Sequence, residues 1–161
     1  MLFRLALLFA LLMLGGSVYY AYNPPPSIFL NYLPAEIDAA GVVVWGGETR
    51  LLDGCGALLY RLADEKPVPV EKLQPGLTSR GGPKTTFGAW YPTPLPDRLL
   101  SIFIENPEYF TGLECADFGS LGATVKAMAR QPGGFFAHSI GGSALLIVSP
   151  ERKLASFLYT Q

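Results

Sequence analysis

Histidine and cysteine are scarce in this chain of 161 residues, which holds only His138, Cys55 and Cys115. A structural zinc ion needs three or four ligands at recognisable spacing, and three residues scattered between positions 55 and 138 do not supply it. No metal and no cofactor is therefore expected. The scarcity also limits nucleophilic catalysis, because any serine or cysteine nucleophile has only His138 to serve as its base. Charge of one sign is missing as well: 12 basic and 13 acidic side chains leave a net charge of −1. That balance excludes recognition of nucleic acid or an anionic membrane surface through bulk charge. No internal repeat is present; beyond the N-terminal segment, Gly-Gly pairs begin at positions 46, 81, 133 and 141 without a fixed period and read as turn punctuation.

What the chain has in abundance is apolar surface at its start. MLFRLALLFALLMLGGSVYYAY carries one charge, Arg4, and none follows until Glu36. As a helix, Leu5 to Tyr22 would span about 27 Å, close to the hydrocarbon thickness of a bilayer. Residues 1–22 are read as a signal anchor that stays in the membrane, with Tyr19, Tyr20 and Tyr22 at the interface where tyrosines gather. The alternative is cleavage near Ser17, after the small residues Gly15 and Gly16, which would release a secreted protein. Arg4 and the terminal amine favour a cytoplasmic N-terminus, so the rest of the chain is expected in the periplasm or outside the cell. No cysteine follows the apolar run, which excludes lipoprotein-type attachment.

Residues 23–40 begin with three consecutive prolines, which favour an extended, stiff stalk. Ile28, Phe29, Leu30, Tyr32 and Leu33 are too apolar for a solvated linker and require either the following domain or a lipid surface to cover them. Residues 41–161 are read as an exported α+β domain. Two strands are predicted in GVVVW and ALLYRL, with Gly46-Gly47 as a turn. Asp64 to Pro96 is mostly loop, with at most a helical turn near Val70 to Gln74. Asp97 is a candidate cap for RLLSIFI, an element ambiguous between helix and strand. In GSLGATVKAMARQPGG, Leu121, Val125 and Met128 share a helical face, Ser120 is the candidate N-cap and Pro132 ends the helix. The C-terminal stretch from Phe135 reads as a three-stranded β-meander.

Cys55 stands between two glycines in DGCGALLYR, and its use is the main chemical question. In an exported domain disulfides form and persist, so Cys55 and Cys115 are expected to pair; two inert buried thiols are the alternative. Ala137 to Gly141, AHSIG, resembles the nucleophile elbow of lipase-type α/β-hydrolases, which would make Ser139 a nucleophile. That family places its acid and its histidine after the serine, yet no histidine follows His138. GLTSRGGPKTT holds Lys84 and Thr85 in a faint echo of a phosphate loop, but the glycine-lysine spacing is wrong and no nucleotide is expected. Glu105, Glu108, Glu114 and Asp117 lack the calcium-loop pattern and read as a solvated acidic loop.

FGAWYPTPLP is the stronger functional candidate. Phe87, Trp90 and Tyr91 either anchor a partner from a loop or plug the core beneath it. The expectation that follows is a membrane-anchored extracytoplasmic domain that binds another envelope protein, with no catalytic machinery. The alternative is an envelope hydrolase using Cys55 or Ser139 with His138.

Overall fold

A computed structural model describes residues 13–14, 26–47, 54–63, 73–81, 84–106 and 111–160. The expected membrane anchor at residues 1–22 lies outside these apart from Met13 and Leu14, and no helix among the described residues is long and apolar enough to cross a membrane. The helical turn expected near Val70 to Gln74 also lies mostly outside them.

Six strands form one antiparallel sheet: β1 (Ala39–Gly47), β2 (Gly56–Leu62), β3 (Tyr91–Pro92), β4 (Phe135–His138), β5 (Ala144–Ser149) and β6 (Leu154–Tyr159), in spatial order β1-β2-β6-β5-β4-β3. The helices are α1 (Pro26–Phe29), followed by a 3-10 turn at Leu30–Tyr32, then α2 (Asp97–Phe103), α3 (Gly112–Ala116) and α4 (Ser120–Arg130). The mixed α+β class and the C-terminal meander β4-β5-β6 are as expected from the sequence.

Alternation along the strands shows that the central strands β2, β5 and β6 are covered on both sides. Side chains two apart share a face. Leu58, Tyr60 and Leu62 of β2 join Leu146 and Val148 of β5 and Phe157 of β6 on one face. The intervening Ala57, Leu59, Leu145, Ile147 and Leu158 occupy the other. Both sets are buried, which is why β5 reads ALLIVS with no polar alternation. Helices α2, α3 and α4 cover the second face through Phe103, Leu113, Val125 and Met128. The first face is covered by Phe29, Leu33 and Ile37 from the N-terminal segment, with Leu73 and Phe87 from the long loop.

That arrangement resolves the choice left open for the apolar residues after the prolines: Phe29, Leu30, Tyr32 and Leu33 pack on the domain, while Ile28 is exposed. Pro26 opens α1, and the Tyr60 hydroxyl donates to the Phe29 carbonyl at 2.9 Å. The segment from Phe29 to Ile37 thus belongs to the core, not to a stalk.

Other local expectations are corrected. Gly46 and Gly47 are not a turn; β1 runs through them and pairs with Ala57 and Gly56. Glycine is needed there for a different reason: a Cβ on Gly46 would collide with the Ala116 carbonyl, and one on Gly112 would lie 2.8 Å from the Tyr159 carbonyl oxygen. Helix α3 therefore sits directly on strand backbone. The N-cap of α4 is Gly119, not Ser120; its φ of 53° and ψ of −127° belong to a region that side chains disfavour. Asp97 does not cap α2 either, since Pro96 holds that position and Asp97 lies in the first turn. The acidic stretch is partly built in: Thr111 and Glu114 form a capping box for α3, and Glu105 pairs with Lys126 and Arg130. Glu108 lies outside the described residues.

Candidate functional site

Cys55 and Cys115 are brought to disulfide distance, with their Cα atoms 5.7 Å apart. The pair ties the start of β2 to α3 where the glycine contacts already bring backbones together. The flanking glycine at 56 has a plain role: a Cβ there would stand 2.5 Å from the Tyr159 hydroxyl.

The hydrolase residues are not brought together. His138 and Ser139 are consecutive at the end of β4, and they line different depressions. Ser139 is 4% exposed and its hydroxyl oxygen accepts from the Ala144 N–H at 3.0 Å, which closes the β4–β5 hairpin. The His138 Nδ1 lies 3.0 Å from the Ser139 carbonyl oxygen, which suits a nitrogen that donates and leaves Nε2 outward. From His138 the sheet rungs pass through Leu145 and Leu158 to Ala57, placing the Cys55 end three strands away, about 14 Å at strand spacing. No group of three or more His, Cys, Asp or Glu side chains that could hold a metal occurs among the described residues.

The three aromatic candidates separate. Phe87 is fully buried and packs edge-on against Phe157, so it belongs to the core. Trp90 is half-buried against the same cluster, and its Nε1 is enclosed with no hydrogen-bond partner among the described residues. Tyr91 is 50% exposed and stacks at a tilt on Phe136, ring centroids 5.7 Å apart.

Tyr91 stands at the edge of an open groove of about 670 Å³. Its construction follows from a run of prolines beside a short strand. Pro92, Pro94 and Pro96 fix φ at three alternate positions between β3 and α2, and the chain bends at Thr93 and Pro94, which are joined by a cis peptide bond. Thr93, buried within this run, anchors it to the end of α4: its N–H donates to the Gly134 carbonyl at 2.9 Å and its hydroxyl to the Gln131 carbonyl at 2.6 Å. The Leu95 N–H donates to the Ala129 carbonyl at 2.8 Å. So anchored, the proline run carries α2 to one side, and a space remains above Phe136.

Leu99, Ile102 and Phe103 of α2 form the opposite wall. Among the described residues, Arg98 and His138 are the ionisable side chains in the lining besides the Tyr91 phenol, and no carboxylate contributes to it. Both are exposed, and the Arg98 guanidinium makes no ion pair among the described residues. An apolar trough with a small number of polar groups at its rim is the general form of a binding site. Sequence reasoning found Tyr91 through its aromatic-proline context but missed Arg98, Leu99 and Ile102, whose pattern is that of any short amphipathic helix. It also missed Phe136, which pairs with Tyr91 across β3 and β4 but is separated from it in sequence by three helices.

Comparison with protein-family models, curated proteins and solved structures gives no match for this chain.

Proposed function

We propose that the chain is a membrane-tethered binding domain that faces the periplasm or cell exterior and engages another envelope protein through the groove at Tyr91. The apolar N-terminal run supplies the tether, Arg4 sets the orientation, and the Cys55–Cys115 pair, oxidised in that compartment, staples the domain. The observation that carries the reading is the groove itself: a half-exposed tyrosine and an arginine without an ion pair among the described residues, beside apolar walls, on a domain whose central strands β2, β5 and β6 are covered on both faces. Aromatic and arginine side chains are the residue types that contribute most to protein interfaces.

The test is co-purification from the membranes of cells that make the full tagged chain. Tyr91→Ala is expected to abolish capture of the partner, and Ser139→Ala to leave it intact. Capture indifferent to Tyr91→Ala contradicts the reading, as does a hydrolytic turnover that disappears in Ser139→Ala.

A further inference from the structure

We infer that the groove receives the C-terminal end of a partner chain, an apolar residue carrying its free carboxylate. This rests on the reading of the groove as the partner-binding site and adds the chemistry of what enters it.

Three observations lead there. The first is charge: among the described residues, Arg98 stands at the rim without an ion-pair partner, His138 lines the same groove, and no carboxylate shares it. A guanidinium left free beside an apolar trough is matched by an anion attached to an apolar group, and Arg with carboxylate gives the strongest such pairing because two parallel N–H donors meet two oxygens. His138 adds a second donor when its Nε2 is protonated, since Nδ1 already faces the Ser139 carbonyl oxygen.

The second is the surface. Pro92, Pro94, Tyr91 and Phe136 line the groove together with Leu99 and Ile102. The proline rings have no rotamer freedom to lose when one or two apolar side chains pack against them.

The third is openness. The volume of about 670 Å³ suits a few residues of peptide, and the groove is a trough open to solvent, not an enclosed cavity. A peptide keeps its remaining backbone N–H and C=O groups hydrated in an open trough, whereas a long acyl chain gains most from complete enclosure. A C-terminal segment is thereby favoured over a lipid anion.

The experiment uses the full chain in lipid nanodiscs and the photoreactive dipeptide N-acetyl-prolyl-p-benzoylphenylalanine, as the free acid and as the amide. After irradiation, the adduct is located by peptide mass mapping. The free acid is expected to cross-link at least about tenfold more efficiently than the amide, the worth of one charge-assisted hydrogen bond. Adducts should fall within residues 91–103 or 135–138, and Arg98→Gln should abolish the preference. Unlabelled N-acetyl-prolyl-phenylalanine should compete at lower concentration than laurate.

Equal yields from acid and amide, with adducts still in the groove, overturn the carboxylate inference and leave the groove as a partner site. Adducts confined to other surfaces, or none, overturn both. Laurate competing more strongly than the parent dipeptide overturns the peptide assignment in favour of a lipid anion.

Discussion

The two ends of the sheet are built on opposite terms. At the β1–β2 end backbone meets backbone: α3 rests on Gly46 and Gly56, a Cβ at Gly112 would approach two strand carbonyls, and Cys55 and Cys115 link the layers. At the β3–β4 end the outer strand has two residues, and the proline-held chain stands off from the sheet to leave the groove. Close approach leaves no room for a ligand; standing off leaves room at the cost of burial. Both ends also discourage strand-on-strand pairing, one through two register shifts in β1 and the other through Pro92. Binding at the β3–β4 end is thus expected to use side chains in the groove, not the open strand edge.

The largest effect on the closed end should come from alkali. Tyr60, Tyr159 and Tyr32 all have their phenol pKa raised above 10.0 by burial, and at Tyr60 and Tyr159 the neighbouring Tyr32 charge adds to it. Below pH 10 these phenols are neutral in the folded and the unfolded chain. Above it the unfolded chain releases protons that the folded one retains, so stability falls as pH rises from 10 toward the folded-state values. Urea midpoints at about pH 8 and about pH 11 should differ, with the tyrosinate absorbance of the buried Tyr60 appearing on unfolding.

Next in size is the cysteine pair. With a sequence separation of 60, closing that loop stabilises the domain by roughly 4 kcal/mol through the chain entropy of the unfolded state. Denaturation with and without reductant should show a loss of that order, and an unchanged midpoint would contradict the staple. Gly46→Ala should cost about 1–3 kcal/mol by pushing α3 off the sheet. Thr111→Ala, which removes the α3 capping box, should cost about 1 kcal/mol in the same assay. At the open end Arg98→Gln should leave stability within about 0.5 kcal/mol of the parent. If the open-end substitution destabilises as much as the closed-end ones, the contrast between the ends fails.

How legible this was in the sequence depends on range. The meander, the helix at Ser120–Arg130 and the partnership of the cysteines follow from local periodicity, punctuation and count. Gly46 and Gly47 misled because the reason for glycine is not a turn: at Gly46 it is the carbonyl of Ala116, far along the sequence, and at Gly47 a φ of 134° beside the backbone of Cys55 and Gly56. The apolar residues from Phe29 to Ile37 announced that something must cover them, but only pairing of β2 with β6 creates the face they occupy. The groove was half legible: its prolines and Tyr91 are local, while Phe136 and His138 arrive through the β3–β4 pairing. Arg98 carried no signal, since an arginine on a short helix is ordinary until its surroundings show no ion-pair partner among the described residues.

The most direct test of the contrast places p-benzoylphenylalanine at position 91 or at position 43 of the full chain in its native membrane, followed by irradiation. Tyr91 and Val43 are both exposed, at opposite ends of the sheet. A discrete protein adduct from position 91 that disappears in Arg98→Gln, with none from position 43, is the predicted result. An adduct from position 43 and none from position 91 would contradict the account.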